Sequence, residues 1–312
     1  MIDLQLLQVE KGGNPEVVRE SQRKRFASVE LVDEVLSLYK TWVTLEFQLN
    51  QMQQEVNAIQ KVITTKKKAK EDADAELAQK KEQDAKIADF KPKVAEAERE
   101  MRLKAGTIGN IVGDKVPVSE TEDDNLVTKT WHPDGPNGKF EKKDHFLSHH
   151  EVMYRLDLFD TERGAKISGH RGFFLTGDGV DLNQALINYG LDFLRKKEYK
   201  KIMTPFMMRK EHMAKTAQLD QFDEELYKVT GDEDDKYLIA TSEQPISAFH
   251  SNEWFDRPAE QLPIKYAGYS TCFRKEAGSH GKDTWGIFRV HQFEKIEQFC
   301  ITDPASSWDM LD

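Results

Sequence analysis

Cysteines and long apolar runs are scarce in this sequence. Cys272 and Cys300 are the only two cysteines among 312 residues, too few for a disulfide framework or a multi-cysteine zinc site. No stretch reaches the roughly 18 consecutive apolar residues of a membrane-spanning helix. The first residues, MIDLQLLQVEKGG, carry neither a basic segment followed by a long apolar run nor an Arg/Ser-rich presequence. We therefore expect a cytoplasmic protein with no membrane segment and no protein-bound metal.

Positive charge is also in short supply. Lys and Arg number 45 against 55 Asp and Glu, and the formal net charge is −10. This balance argues against a protein that coats nucleic acid indiscriminately, so a nucleic-acid binder of this composition has to concentrate its basic residues locally. A length of 312 residues with 38% hydrophobic content is enough for two domains and a sizeable core.

Apolar residues recur at alternating steps of four and three in the first third of the chain, which is the heptad pattern of a coiled coil. The first series is Leu31, Val35, Leu38, Trp42, Leu45, Leu49, Met52, Val56 and Ile59, and the second is Ile87, Phe90, Val94, Ala97, Met101 and Ile108. Between them, residues 64–76 carry no apolar side chain larger than alanine, which predicts a polar connection. We predict an antiparallel helical arm over about residues 30–108, within an N-terminal domain of residues 1–113, followed by a second domain of residues 114–312.

The turn end of this arm is basic. Residues 61–104 hold 13 Lys/Arg against 10 Asp/Glu, and the lysines that crowd the end of the first helix are Lys61, Lys66, Lys67, Lys68 and Lys70. Such side chains can bind nucleic-acid phosphates without reading sequence. From the pattern alone, a dimerisation or spacer coiled coil with a solvated lysine face is the more common interpretation.

The second domain begins with mixed helical and extended signals. In the first domain, a short helix is predicted before the arm, at NPEVVRESQRKRF, with Asn14 as its N-cap and Pro15 at its first position. The segment 181–199 has helical spacing at Leu182, Leu186, Tyr189 and Phe193, and the strand candidate KKIMTPFMM follows it. This helix and strand are compatible with an ordinary αβ unit that has a proline at the edge.

The segment 270–299, STCFRKEAGSHGKDTWGIFRVHQFEKIEQF, predicts two strands joined by a Gly-rich loop. If residues 287–299 form one strand, side-chain alternation places Arg289, Phe293 and Glu297 on one face, with His291 and Lys295 between them. A cation, an aromatic ring and a carboxylate in a row can line an extended ligand such as an aminoacyl-adenylate. In ATSEQP, Thr241 and Glu243 alternate along a predicted strand, so both can face one pocket.

These motifs resemble those of a known family. FRKE at residues 273–276, followed by FRVHQFEKIEQF, closely resembles the motif 2 hairpin of class II aminoacyl-tRNA synthetases. TPFMMRKEHM from Thr204, LDQFDEELYKV from Leu219 and YLIATSEQP from Tyr237 extend the match, and the helical arm makes it similar to the cytosolic eukaryotic seryl type. The resemblance implies an α+β fold, in which an antiparallel coiled-coil arm precedes a catalytic domain built on a mixed, mainly antiparallel β-sheet flanked by helices.

The resemblance also implies a function. Serine would be activated with ATP and Mg²⁺ to seryl-adenylate and transferred to the 3′ end of tRNA(Ser), and also of tRNA(Sec). The helix and strand of residues 181–205 would correspond to motif 1 and form a homodimer interface. Catalytic roles would fall to Arg274, Glu276 and Arg289, and serine binding to Thr241, Glu243, Arg274 and Glu297. The implied ATP-binding residues are Arg274, Lys275, Glu276, Val290, His291, Gln292 and Phe293. The implied tRNA-binding residues are Lys61, Lys66, Lys67, Lys68 and Lys70.

The sequence departs from the family pattern in two places. Trp285 occupies a position in the motif 2 loop where arginine is usual, and the sequence stops at Asp312, before the expected motif 3. We therefore expect a chain that is incomplete at its C-terminus. Three alternatives remain: an inactive paralogue or fragment that binds tRNA or has a structural role, a class II enzyme for proline or threonine, and a coiled-coil scaffold. Without the resemblance, Arg274 and Glu276 fit an exposed cross-strand ion pair equally well.

Overall fold

The structure is a computed structural model that describes residues 2–135, 138–139, 141, 143–216, 225–231, 234–276 and 285–311. It forms two compact units, Met1–Trp131 and His132–Asp312. The boundary expected near Gly113 lies earlier in the chain than this division and stays a prediction. The first part of the LDQFDEELYKV motif and residues 277–284 of the loop between the two hairpin strands lie outside the described residues.

The first unit is helical. Short 3₁₀ turns at Leu4–Leu7 and Val9–Lys11 precede α1 (Pro15–Lys24), α2 (Glu30–Lys68) and α3 (Asp74–Gly106). The predicted N-cap is confirmed, because the Asn14 side chain accepts a hydrogen bond from the backbone N–H of Glu16 at 3.1 Å. The core at the base of the arm consists of Ile2, Leu7, Val18, Val32, Val35, Ala105 and Ile108.

The predicted coiled-coil arm is confirmed as an antiparallel pair formed by α2 and α3. Every residue of the two predicted apolar series is buried or half-buried. Pairs across the two helices run in opposite directions, from Lys104 with Glu34 at the base to Lys66 with Glu76 at the tip. The polar connection predicted for residues 64–76 is too long, because α2 continues to Lys68 and α3 begins at Asp74. Lysine, glutamate and alanine favour helix without any apolar periodicity.

The second unit contains a mixed three-stranded sheet with the order β3–β7–β8. Strands β3 (Lys200–Met203) and β7 (Ile264–Phe273) are parallel, and β7 pairs antiparallel with β8 (Gln292–Ile301). A second sheet, antiparallel throughout, joins β4 (Met207–Arg209), β6 (Lys236–Leu238) and β5 (Lys228–Val229). A short ladder pairs β1 (Phe159–Asp160) with β2 (Phe174–Leu175). The predicted fold class is confirmed.

Helices surround these sheets. They are α4 (His149–Arg155), α5 (Thr161–Ser168), α6 (Asp178–Arg195), α7 (Lys210–Thr216), α8 (Glu243–Phe249), α9 (Pro258–Gln261) and α10 (Ser307–Leu311). Short 3₁₀ turns lie at Glu122–Asp124 in the first unit and at Pro304–Ser306 in the second. Within the ranges given above, we find no helix that is both long and apolar enough to cross a membrane.

The hairpin of β7 and β8 has two distinct faces, occupied by different helices. On one face, the Asn183 amide of α6 donates to Glu294 Oε2 at 3.0 Å. On the other face α8 approaches so closely that a Cβ on Gly268 would lie 2.5 Å from Ile246 Cδ1. A side chain at position 268 would therefore force the end of the Ile246 side chain to move and would crowd the Ser242 hydroxyl.

Two predictions about local structure are wrong. Strand β8 begins at Gln292, the partner of Phe273, so Arg289, Val290 and His291 precede the strand instead of continuing its alternation. Thr241 and Glu243 do not alternate along a strand either, since Thr241 lies in a turn and Glu243 is the first residue of α8. The apolar series Leu182 to Phe193 is helical, as predicted, and it forms an exposed stripe on α6. Its residues, Leu182, Leu186, Tyr189 and Phe193, are exposed, whereas Ile187 and Leu194 are buried.

Candidate active site

The Glu297 carboxylate on β8 is the centre of a compact polar cluster. Its Oε2 accepts hydrogen bonds from Thr241 Oγ1 at 2.6 Å, from Ser242 Oγ at 2.9 Å and from the backbone N–H of Glu243 at 3.0 Å. Its Oε1 accepts from Lys295 Nζ at 2.7 Å. Two predicted serine-binding residues, Thr241 and Glu297, are thus in direct contact, and Glu243 joins them through its main chain.

The surroundings of Glu297 favour its charged form. Burial by itself raises the pKa of this carboxyl, but hydrogen bonds from Lys295, Thr241 and Ser242, together with the charge of Lys295, outweigh it and hold the pKa below its usual value. Donors that satisfy the ionised form stabilise it in this way. Glu297 is therefore a carboxylate at neutral pH.

The turn that precedes α8 brings these donors to the strand. The Gln244 side chain accepts from the backbone N–H of Ala240 at 3.0 Å, which closes the turn on itself. Ser242 is fully buried, and a Cβ at Gly268 would lie 3.0 Å from its hydroxyl oxygen. Because Gly268 is opposite Glu297 in the hairpin register, the missing side chain leaves space for the turn above the carboxylate.

Arg274 contacts the same turn from the end of β7. Its Nε donates to the backbone carbonyl of Ala240 at 3.3 Å. Its guanidinium carbon lies 5.2 Å from the centroid of the Phe293 ring, within the range of a cation–π contact. Phe293 and Glu297 occupy the same face of β8, so a guanidinium, an aromatic ring and a carboxylate lie together around one turn of the chain.

Glu276 pairs with Arg289. Arg289 Nη1 lies 3.4 Å from Glu276 Oε2, and Glu276 has a left-handed backbone with φ +50°. The main-chain carbonyl of Arg289 accepts from Arg171 Nη1 at 2.9 Å. Arg289 therefore does not belong to the row of Phe293 and Glu297, although it lies near the predicted nucleotide-binding residue Glu276.

A cavity of about 460 Å³ lies beside the start of β8. Its walls include His291, Gln292 and Phe293 from the predicted nucleotide site. They also include Arg171 and Tyr227, which the sequence did not single out. Arg274, Glu276 and Glu297 do not line this cavity.

The remaining predicted nucleotide residues are dispersed around this region. Val290 is buried with 5% exposure. The His291 ring nitrogen Nδ1 lies 3.0 Å from the carbonyl oxygen of Arg274. Lys275 Nζ lies 6.0 Å from the Tyr227 ring centroid. We conclude that the structure groups Arg274, Phe293, Thr241 and Glu297 tightly and the others more loosely.

The end of the hairpin loop contacts α4. The ring centroids of His149 and Phe288 are 3.8 Å apart, and those of His150 and Trp285 are 5.5 Å apart. Burial, with a smaller effect of nearby His150, holds the pKa of His149 below its usual value. Trp285, the departure from the family pattern, thus contacts a histidine of the same unit.

The predicted tRNA-binding lysines are not equivalent. Lys66 forms an ion pair with Glu76 across the tip of the arm, whereas Lys61, Lys67, Lys68 and Lys70 are exposed. Lys67 and Lys68 line a groove together with Lys80. Lys66 therefore contributes to the structure of the tip, and the free positive charge is carried by its neighbours.

Sequence reasoning missed several residues of this region. Lys295 was placed on the correct strand face but received no role, and Ser242 was passed over between Thr241 and Glu243. Alternation along β8 was the signal that could have identified Lys295. Arg171 and His149 lie far from the hairpin in sequence, and no local pattern connects them to it.

Two family models match the chain. One describes the seryl-tRNA synthetase N-terminal domain and matches residues 1–112. The other describes the class II tRNA synthetase core domain (G, H, P, S and T) and matches residues 227–312.

Cytoplasmic serine–tRNA ligases of several organisms are similar over nearly the whole chain. The Schizosaccharomyces pombe protein is 58% identical over 313 residues, which are 99% of this chain and 68% of that protein. The Saccharomyces cerevisiae protein is 54% identical and matches 99% of this chain and 68% of its own length. The Mus musculus protein is 44% identical, with 100% of this chain and 67% of that protein covered.

Solved structures agree with these matches. The cytoplasmic serine–tRNA ligase of Naegleria fowleri in complex with AMP has a TM-score of 0.79 and 48% identity, and covers 100% of this chain and 70% of that one. The seryl-tRNA synthetase of Pyrococcus horikoshii complexed with ATP has a TM-score of 0.79 and 33% identity, and covers 99% of this chain and 71% of that one.

Proposed function

The chain belongs to the seryl-tRNA synthetases, and from this premise we propose that it acts as a cytoplasmic serine–tRNA ligase. One observation supports this proposal above others. Arg274 and Glu297 reach the same turn from two strands, Arg274 through the carbonyl of Ala240 and Glu297 through Thr241, Ser242 and the Glu243 amide. A fixed cation and a fixed carboxylate around one turn suit a zwitterionic amino acid that has to be held next to a phosphate.

The proposed reaction has two steps. A carboxylate oxygen of serine attacks the α-phosphorus of ATP, which forms seryl-adenylate and releases pyrophosphate. The terminal ribose hydroxyl of tRNA then attacks the seryl carbonyl carbon and releases AMP. Positioning and stabilisation of developing charge supply most of the rate enhancement in such transfers.

We assign Arg274 to the α-phosphate and the serine carboxylate, because a guanidinium fork binds such oxygens in pairs. Its contact with Phe293 holds the fork beside the ring on which adenine would stack. Thr241 and Glu243 would bind the serine amino group, and Glu297 the polar groups of serine. Glu276 would contact adenine, and Arg289 the triphosphate or the tRNA end. Lys275, Val290, His291 and Gln292 complete the proposed nucleotide site. Mg²⁺ enters as part of the nucleotide substrate.

We propose that the arm binds tRNA(Ser), and also tRNA(Sec), through its exposed tip lysines. Double-stranded RNA is recognised largely by its shape and backbone, so a projecting helical pair with free positive charge suits this task. Because Lys66 is paired with Glu76, we assign the phosphate contacts chiefly to Lys61, Lys67, Lys68 and Lys70.

We further propose a homodimer formed through the α6 region. The exposed side chains of Leu182, Leu186, Tyr189 and Phe193 follow each other along one side of α6, and Met203 of β3 is 67% exposed. An apolar stripe of this length on a surface helix favours a protein partner. A second copy of the chain fits best, since a two-fold interface would bury the stripe against its own equivalent.

The test measures serine-dependent exchange of pyrophosphate into ATP by the full-length protein. We expect exchange with serine, and a kcat that falls by about 10²-fold or more in Arg274→Ala, by analogy with the loss of one preorganised donor. Arg257→Ala is the matched control, because Arg257 is exposed and pairs with Glu260 on α9. Tight tRNA binding without any exchange would instead identify an inactive tRNA-binding paralogue.

A further inference from the structure

The Lys295 ammonium has two partners, both proposed to bind serine. Its Nζ lies 2.6 Å from Thr241 Oγ1 and 2.7 Å from Glu297 Oε1. An ammonium group only donates hydrogen bonds, so both oxygens act as acceptors towards it. The Thr241 hydroxyl in turn donates to Glu297 Oε2 at 2.6 Å. The three side chains therefore form a closed ring whose donors and acceptors are fixed.

This ring leaves little hydrogen-bonding capacity for a second ammonium. A hydroxyl oxygen has two lone pairs, and Thr241 Oγ1 already faces Lys295 and the backbone N–H of Glu243, which lies at 3.2 Å. Glu297 Oε2 accepts three donors, and Oε1 faces Lys295. Two ammonium groups sharing these oxygens would also repel each other at close range.

Lys295 is able to leave this position. Its side chain is 29% exposed and that of Glu297 is 19% exposed, so the flexible stem has access to solvent. The strand itself does not need to move, because Lys295 keeps its place opposite Ser270. On the same face of β8, Lys295 lies between Phe293 and Glu297, roughly 7 Å along the strand from each.

We infer that the Lys295 ammonium occupies the position of the substrate's α-ammonium group while the site is empty, and that the amino acid displaces it on binding. The inference rests on the proposed function, which assigns Thr241 and Glu297 to serine, and it specifies that both oxygens accept from the serine amino group. The displaced ammonium remains beside the substrate and can pair with its carboxylate. Lys295 thereby exchanges one carboxylate partner, on the protein, for another on the substrate.

Displacement of the Lys295 ammonium should affect the binding of ethanolamine and serine differently. Ethanolamine carries the ammonium and hydroxyl groups of serine but lacks the carboxylate, so it must displace Lys295 without offering it a new partner. In Lys295→Met the competing ammonium is absent. Ethanolamine should then bind about tenfold more tightly or better, because a tethered group competes at millimolar or higher effective concentration. Serine should gain less than ethanolamine, or lose affinity, because the variant also lacks the cation that would pair with its carboxylate.

The experiment measures the dissociation constants of ethanolamine and serine by calorimetry on the complete protein. Lys295→Arg retains a cation that only donates hydrogen bonds, so its ethanolamine affinity should stay closer to that of wild type than the affinity of Lys295→Met. Lys265→Met is the matched control, because Lys265 lies on β7 and contacts the Tyr199 ring. Circular dichroism and the melting temperature report whether each variant is folded.

The outcomes are distinct. A purely supporting role for Lys295 would weaken ethanolamine and serine in parallel when it is removed, and that result, or unchanged ethanolamine affinity, would overturn the inference. Calorimetry does not depend on turnover, so the inference is judged separately from catalysis. Absence of serine-dependent exchange in the wild type would instead count against the proposed function.

Discussion

Replacing Glu297 by glutamine tests how far the polar cluster stabilises the fold. The change keeps the shape of the side chain but leaves only one accepting atom, whereas the carboxylate accepts four hydrogen bonds. In the better orientation the amide oxygen faces Thr241, Ser242 and the Glu243 amide. The amide nitrogen then faces the Lys295 ammonium, and two donors cannot bond to each other.

The expected cost follows from these contacts. The hydrogen bond from Lys295 is lost, and the other three no longer have a charged acceptor. Bonds to charged groups contribute about 1.5–3 kcal/mol and neutral ones about 1 kcal/mol. Lys295 can turn outwards to water, which offsets part of the loss. We expect Glu297→Gln to lower the free energy of unfolding by about 2 kcal/mol near neutral pH.

The effect should also depend on pH in a defined direction. The pKa of Glu297 in the folded state lies below the usual value of a glutamate carboxyl. A carboxyl with a depressed folded pKa stabilises the fold above its unfolded pKa, and this contribution disappears as the pH falls through the folded value. Glutamine does not titrate. The difference between wild type and Glu297→Gln should therefore be constant around neutral pH and shrink as the pH falls below about 4.5.

Urea denaturation followed by tryptophan fluorescence measures this difference at each pH. Glu294→Gln on the same strand is the control, since Glu294 is exposed and accepts one hydrogen bond, from Asn183, among the described contacts. We expect the control to change stability by no more than about 0.5 kcal/mol. If both variants cost the same, or if the Glu297→Gln difference does not diminish in acid, the cluster does not stabilise the fold as described.

Three further predictions concern other parts of the chain. The double variant Lys67→Ala/Lys68→Ala should weaken tRNA binding and reduce its log–log salt dependence by about 0.7–0.9 per lost contact. Lys66→Met should lower the stability of the arm more than it changes this salt dependence. Equal salt dependence in the wild type and in both variants would refute the distinction. Gly268→Ala should lower the unfolding free energy by about 1–3 kcal/mol through overpacking against α8, and an unchanged urea midpoint would contradict this close contact. Leu186→Asp should raise the dimer dissociation constant in sedimentation, and a dimer of unchanged affinity would exclude the α6 stripe from the interface.

Periodicity in the sequence predicted the long helices because the residues on the packed side of a helix are apolar at every turn. The arm series from Leu31 to Ile59 is buried or half-buried throughout, since a seam between two helices needs an apolar residue at every turn. The Asn14 cap was predictable for a local reason as well, because its side chain bonds to a backbone N–H two residues later. These features depend on neighbours in sequence.

The errors arose where partners come from distant segments. Strand β8 begins at Gln292 because Phe273 is its partner on β7, and nothing in the sequence around Arg289 gives that register. The turn at Thr241 closes through the Gln244 side chain, which a pattern of alternating residues does not reveal. On α6, the exposed series and the buried series are both apolar, so periodicity located the helix but did not decide which side packs on the sheet.

The same limit explains why Lys295 was overlooked and why it is informative. A lysine at a strand position is ordinarily a solvated side chain, and alternation placed it beside Glu297 without giving it a partner. Its chemistry depends on the turn at Thr241, which reaches the strand only because Gly268 leaves space for it. Once these segments meet, the direction of each hydrogen bond is determined, because lysine can only donate and a carboxylate can only accept. The oxygens proposed to bind serine are therefore already hydrogen-bonded in the folded site, and we infer that the amino group of the substrate competes with the protein's own ammonium for them.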